Sequence, residues 1–401
     1  MAVIRTFRAL RPARDTAAAV SSVPYDVVST GEARQLASGN PLSFLHVTRS
    51  EIDLPPGTDP YSVEVYAKAK ENLASLRANA PLVAEDEPSL YFYRLRMGGH
   101  EQTGIAAGFS VDEYEQDVIK KHERTRRDKE DDRTRHIVEL GAQTGVVFLT
   151  YRASDAIDQL SRAATADAPL YDFRADDGVH HTIWRVGGEE AAALVDAFAR
   201  VPALYIADGH HRAASAARAR TETRTPDADT FVAVAFPSNQ VHILPYNRTV
   251  NDLAGQTPDQ FRAALGARVP VREGAATPRG KGEVAMYLDG KWYVLNLSGA
   301  APADGSRANG LDVALLQTHV LEPLLKIGDV RTDKRIDFVG GARGTAALES
   351  AVTTGKAAVA FSMHPVTIDD LMAISDEGGI MPPKSTWFEP KLRDGLLTQL
   401  I

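Results

Sequence analysis

The segment Tyr205-Ile206-Ala207-Asp208-Gly209-His210-His211-Arg212 gathers residue types that handle phosphate. An apolar run ends in a carboxylate, a glycine, two imidazoles and a guanidinium, and an alanine-rich stretch follows. A strand that turns into a helix here exposes amides at the helix start, where an anion binds. Gly209 lets a phosphate approach the backbone closely. Arg212 matches phosphate oxygens with a two-pronged contact, and the imidazoles of His210 and His211 donate to them. Asp208 can orient an alcohol or take its proton during phosphoryl transfer. The bland alternative is a solvent-exposed polar turn. Zinc is a weaker reading, because adjacent histidines diverge on regular backbone and no third ligand stands at a useful spacing. Metal ligands are therefore left unassigned.

Two further groups could meet a phosphate. Near the end of the chain, Gly378-Gly379 and Pro382-Pro383 prescribe a fixed loop path before Lys384, Ser385 and Thr386, a cation with two hydroxyls. Trp387 and Phe388 either stack on a base or anchor the tail. The glycine spacing of a Walker loop is missing. Asp329, Arg331, Asp333, Lys334, Arg335 and Asp337 alternate in sign, as a salt-bridge surface or a magnesium or phosphate site would; spacing does not decide.

The run from Lys120 to His136 is dense in charge of both signs and has almost no apolar stripe. It reads either as an exposed ion-paired helix or as a site-lining segment that presents Arg126, Lys129 and Arg133 to a polyanion. Asp26 and Glu123 are isolated acid candidates.

The elements that must position these groups follow from periodicity. Leu204 to Ala207 is the strand entering the motif, and Ala213 to Arg220 the helix leaving it. Residues 2–10, Ser43 to Val47, Val146 to Tyr151, Thr182 to Val186 and Phe231 to Phe236 read as strands. Thr30 to Ser38, Tyr61 to Arg77, Glu189 to Ala199, Thr257 to Leu265 and Leu311 to Leu325 read as helices. Gly98-Gly99 and Asp289-Gly290 are hairpin turn signals. Strands and helices mixed with antiparallel hairpins predict an α+β fold rather than a doubly wound sheet. A second region begins near 250, giving an expected division into 1–248 and 249–401, the latter closing the site.

The 401 residues are 44% apolar and 24% charged, with a net charge of −8 and no cysteine. Disulfides, cysteine metal ligands and a thiol nucleophile are excluded. The acidic balance argues against nucleic acid as a partner. Neither a signal peptide nor an apolar span of membrane length is visible, so the cytoplasm is the expected location. A homo-oligomer is left open.

Six segments carry a resemblance. Val23-Pro24-Tyr25-Asp26-Val27, Asn40-Pro41-Leu42-Ser43-Phe44, the run Thr125 to Arg133, Ala207-Asp208-Gly209-His210-His211-Arg212, Asp333-Lys334-Arg335-Ile336-Asp337-Phe338 and Met381-Pro382-Pro383-Lys384-Ser385-Thr386 resemble the DUF1015 family over essentially the whole chain. The Asp208–Arg212 segment also resembles the nucleotide-phosphate motif of the ParB/sulfiredoxin-like superfamily, which includes kinases of free L-serine. That likeness implies a mixed-sheet N-terminal region with a ParB/sulfiredoxin-like core and a second α/β region. It implies a kinase that uses ATP or ADP with Mg²⁺ to convert L-serine to O-phospho-L-serine. Asp208 would face the acceptor hydroxyl, and Gly209, His210, His211 and Arg212 would hold the nucleotide phosphates. Those kinases use an upstream glutamate as base; Asp26 and Glu123 are the candidates here. The rival readings are a nucleotide-binding or nucleotide-hydrolysing regulatory protein and a phosphate-ester hydrolase.

Overall fold

A computed structural model describes residues 2–79, 82–300, 302 and 305–401. The chain forms two compact units, Met1–Val241 joined by Pro390–Ile401, and His242–Glu389. The single boundary expected after residue 248 therefore becomes two crossings. The last twelve residues return to the first unit because Thr398–Leu400 pairs with Ala9–Arg11 and with Ala142–Gln143 in a small four-stranded sheet.

The expected α+β architecture is present. The first unit is built on a nine-stranded sheet whose strands are β1 (Ile4–Arg5), β2 (Leu90–Met97), β3 (His100–Ser110), β4 (Ile119–Lys120), β5 (Val147–Tyr151), β6 (Tyr171–Arg174), β7 (His180–Val186), β8 (Leu204–Asp208) and β9 (Thr230–Pro237). Their spatial order is β4-β8-β5-β9-β3-β2-β7-β6, with β1 beside β3. The hairpin β2–β3 turns at Gly98-Gly99, as its sequence requires. The central strand β9 is buried along its whole length. Phe231, Ala233 and Ala235 on one face join Phe109, Leu149, Ile206 and Phe198 in the main apolar core. A strand covered on both faces reads as a continuous apolar run, which is why Phe231 to Phe236 shows so little alternation.

Three helices bring the polar residues together. They are α1 (Val63–Asn79), α2 (Arg127–Leu140) and α3 (His210–Thr223), and α2 packs against both of the others. The alanines of α3 (Ala213, Ala214, Ala216, Ala217 and Ala219) are all buried. Their small side chains let α2 come close enough for Ser215 Oγ to donate to the Glu130 carbonyl at 3.3 Å. The charged run at 120–136 is thus largely a packed helix. Its inward face is Asp132, Thr134, His136 and Ile137 rather than an apolar stripe. Tyr66 Oη donates to Asp132 at 2.8 Å, and His136 Nε2 meets the Val47 carbonyl at 3.0 Å, so Asp132 and His136 are satisfied by partners distant in sequence, whereas Thr134 Oγ1 is buried without a hydrogen-bond partner.

The second unit carries a six-stranded sheet of β10 (Tyr246–Val250), β11 (Val271–Glu273), β12 (Glu283–Leu288), β13 (Lys291–Asn296), β14 (Ile336–Gly340) and β15 (Val359–Ser362), in the order β11-β13-β12-β15-β10-β14. Asp289-Gly290 makes the β12–β13 hairpin turn, both residues at positive φ. One expected strand is overturned. Leu45–Thr48 is a helical turn, and Phe44 and Val47 pack into a small apolar cluster with Leu73 and Leu76 of α1. Residues 2–10 hold two short strands, Ile4–Arg5 and Ala9–Arg11, instead of one. Among the described residues, no helix is long and apolar enough to cross a membrane.

Candidate functional site

The strand β8 breaks register with β5 between Ile206 and Asp208. Such an irregularity re-aims the side chain that follows it. Gly209 then takes φ 96° and ψ 31°, a left-handed conformation natural to glycine, and α3 begins. The chain therefore turns sharply from strand to helix at the motif. The first amides of a fourteen-residue helix stand beside the Asp208 carboxylate.

Asp208 is half-buried and lies 3.1 Å from Lys391 Nζ. Arg212 approaches the same carboxylate at 3.9 Å. Burial opposes the charge on Asp208, but Lys391 and then Arg212 outweigh it and hold this carboxyl well below the usual carboxylate range. Asp208 is thus an anion that accepts hydrogen bonds readily and a weak proton acceptor.

Arg212 is buried, and its guanidinium ties three segments together. One nitrogen donates to the Val146 carbonyl at 2.5 Å, and another meets both oxygens of Asp26 at 3.0 and 2.9 Å. Asp26 and Asp208 raise the Arg212 pKa against the opposing effect of burial. A cavity of about 20 Å³, lined in part by Tyr25, Arg133, Gly145 and Arg212, adjoins this cluster. It is large enough for one water and far too small for a phosphate. Asp394 lies close by and is 1% exposed. Its Oδ1 accepts weakly from the Val146 amide at 3.4 Å, and Oδ2 has no partner. Burial pushes the Asp394 carboxyl up to about 7, although Arg212 pulls the other way.

His210 and His211 diverge, as adjacent residues on a helix must. His210 is buried with its ring edge-on to His122, centroids 4.4 Å apart. Burial lowers the pKa of His122 to about 4 and that of His210 well below its ordinary value, so both rings are neutral at pH 7. His211 points toward the charged loop, where its Nε2 accepts from the Arg126 amide at 3.0 Å. One donor atom each from His122, Glu123 and His210 fall within 4.8 Å of one another.

The residues expected at the site therefore separate. Asp26, Asp208, Gly209 and Arg212 form one connected cluster, with His210, His122 and Glu123 adjoining through α3. The Arg126 side chain pairs with Asp128 at 2.8 Å, and Lys129 meets Tyr61 Oη at 2.6 Å. Arg133 is engaged by Asp132 at 2.8 Å and lies over the Tyr25 ring at 4.2 Å. It braces the loop that carries Asp26. Lys384, Ser385 and Thr386 belong to the second unit. There the Lys384 ammonium lies over the Tyr246 ring at 5.5 Å, and Ser385 Oγ donates to the Pro382 carbonyl at 2.5 Å. Trp387 packs edge-on to Tyr246 and Phe388 is buried, which favours the anchoring role for both aromatics. The alternating charges at 329–335 form local ion pairs, Arg331 with Asp329 at 2.8 Å and Arg335 with Asp333 at 2.7 Å.

Sequence reasoning missed Lys391, Asp394 and His122. The first two reach the motif only because the tail folds back: Asp394 exchanges backbone hydrogen bonds with Ser22, at 3.1 and 2.9 Å. No local pattern announces that. His122 was hidden inside a run of exposed charge, where a single buried imidazole leaves no periodic trace.

The chain belongs to the family described as "Protein of unknown function (DUF1015)", whose match spans residues 4–314. No curated protein matches it in sequence. Among solved structures, it is similar to SbnI with C-terminal truncation from Staphylococcus aureus, at 13% identity and a TM-score of 0.41, covering 74% of this chain and 87% of that one. A conserved hypothetical protein from Pyrococcus furiosus gives 13% identity and a TM-score of 0.37 over 74% of this chain and 95% of that one. Free serine kinase in complex with AMP gives 12% identity and a TM-score of 0.35 over 71% of this chain and 86% of that one.

Proposed function

We propose that this member of the DUF1015 family binds the phosphates of ATP or ADP at the start of α3 and transfers a phosphoryl group to the hydroxyl of a small metabolite, free L-serine being the first acceptor to try. One observation carries the reading. A half-exposed carboxylate, Asp208, is kept ionised by Lys391 at the mouth of a helix whose first amides face the same corner. The likeness of Asp208-Gly209-His210-His211-Arg212 to the phosphate motif of the free serine kinases points to the same chemistry.

The division of labour follows from the packing. Helix-start amides at Gly209 and beyond hold phosphate oxygens. Gly209 lets the chain enter α3 at a positive φ and leaves room for the Arg212 guanidinium. Arg212 supplies fixed positive charge but is already engaged by Asp26 and Val146, so it acts by positioning the corner rather than by clamping the ligand. Asp208 accepts a hydrogen bond from the acceptor hydroxyl and aims its oxygen at the transferred phosphorus, the proton itself passing to a phosphoryl oxygen or to solvent. In a loose phosphoryl-transfer transition state that proton leaves late, so orientation matters more than basicity. The new oxygen–phosphorus bond forms as the bond to the departing nucleotide breaks. Mg²⁺ takes oxygen ligands and needs only one or two carboxylates beside the nucleotide phosphates. Asp208 fits that requirement, and a bound ion would neutralise phosphate charge there.

Incubation of the full chain with L-serine, Mg²⁺ and either nucleotide, followed by mass detection of phosphoserine, tests the reading. Asp208→Asn keeps the shape of the side chain and removes its charge. It is expected to lower transfer by about a hundredfold or more while the protein stays folded. Full transfer by that variant contradicts the assignment.

A further inference from the structure

The phosphate corner leaves an adjoining group without a role. His122 is 2% exposed, and its Nδ1 is buried with no hydrogen-bond partner. The other ring nitrogen bonds to the Ile206 carbonyl. That bond fixes the tautomer: Nε2 carries the hydrogen and Nδ1 keeps an open lone pair. A buried polar atom without a partner is destabilising, so its retention calls for a ligand. Facing it is His210 at the start of α3. The His122 amide reaches His210 Nε2 only at 3.4 Å, a contact at the weak end of hydrogen bonding. The third group is the neighbouring Glu123 carboxylate, and one donor atom from each of the three lies within 4.8 Å of the others.

We propose that His122, Glu123 and His210 bind one divalent transition-metal ion of the zinc class. Two imidazoles and one carboxylate select such ions over Mg²⁺ and Ca²⁺, which prefer oxygen alone. Three protein ligands leave a fourth position open for water or an exogenous oxygen. The Ile206 carbonyl plays the part of the outer group that orients a metal-bound histidine. Ile206 lies on β8 directly before the motif, so the same strand that delivers Asp208 also aims the His122 ring. Glu123 is half-buried and gives the ion a route from solvent. In this arrangement Glu123 is a ligand and does not serve as a base. Metal binding at these three residues is independent of phosphoryl transfer and is measured without nucleotide or acceptor.

The full chain, stripped with chelator and titrated with Co²⁺ alone, should take up a single ion per chain with intense visible d–d bands, and Zn²⁺ should bleach them. Excess Mg²⁺ should not. Glu123→Gln changes a half-buried side chain and should weaken Co²⁺ binding about tenfold or more with its thermal melt unchanged. His122→Ala should abolish the bands; should that variant fail to fold, Glu123→Gln decides. Absence of Co²⁺ uptake by the folded wild-type chain overturns the assignment. Binding that Mg²⁺ displaces, or that Glu123→Gln leaves intact, overturns it equally.

Discussion

Lys391 places its ammonium 3.1 Å from the Asp208 carboxylate although 183 positions separate the two residues. The contact exists because the tail re-enters the first unit and is fixed there by the Ser22–Asp394 backbone pair and by the strand Thr398–Leu400. It makes Asp208 a held anion. Lys391→Met should remove that hold, lowering stability by about 1–2 kcal/mol, since a partly buried carboxylate loses its cation. Transfer should fall in the same variant. Urea unfolding followed in parallel with phosphoserine formation checks both; a variant with wild-type stability and turnover contradicts the role given to this pair.

Arg212 joins Asp26 and Val146 with a planar fork that an ammonium cannot reproduce. Arg212→Lys is expected to cost about 2–3 kcal/mol, less than a fully buried pair because Asp26 reaches solvent. The melting temperature should drop by several degrees, and the loop around Asp26 should become susceptible to limited proteolysis. An unchanged melt would show that the guanidinium geometry is dispensable.

Gly209 stands at φ 96°, where a side chain is strained, and a Cβ there would meet Arg212 Nη1 at 3.2 Å and Val147 Cα at 3.4 Å. Gly209→Ala should therefore cost about 1–2 kcal/mol from the backbone alone. It should also push the guanidinium off Asp26. Differential scanning calorimetry reads the first effect and weaker nucleotide binding the second.

Asp394 supplies a pH signature. Its carboxyl is raised to about 7 by burial, so between the ordinary carboxylate range and pH 7 the folded chain holds a proton that the unfolded chain has lost. Stability from this group is intact below that range and declines as pH rises through it, by up to about 1.4 kcal/mol per pH unit. Above pH 7 the loss is constant. Asp394→Asn cannot ionise and escapes the decline. Relative to wild type it should gain stability steadily from pH 4 to 7 and no further beyond. A flat difference across that interval contradicts a protonated Asp394.

Much of this was legible in the residues. The β8–α3 turn announced itself because an apolar run stops at Asp208 and an alanine-rich helix starts after Gly209, both local signals. The Asp289-Gly290 hairpin did so because few residue pairs accept two positive φ angles in succession. Ser43 to Val47 reads equally as a strand or as one helical turn packed on α1, because five residues with apolar Phe44, Leu45 and Val47 show no resolvable period. The helix α2 gave no apolar stripe because its inward face is Asp132, Thr134 and His136; Tyr66 and Val47, distant in sequence, satisfy Asp132 and His136, and the adjacent Arg133 pairs with Asp132. Lys391 and Asp394 belong to the site by topology alone, and topology of that range leaves no mark on spacing.

Phosphate recognition at the start of α3 is the premise of the proposed chemistry. Calorimetric titration of the full chain with ATP and with ADP in the presence of Mg²⁺, repeated with Asp208→Asn and Gly209→Ala, measures it directly, with phosphoserine assayed by mass in the same samples after L-serine is added. Binding of one nucleotide per chain is expected, weakened by Gly209→Ala, with phosphoserine that vanishes with Asp208→Asn. A folded wild-type chain that binds neither nucleotide and yields no phosphorylated product would contradict it.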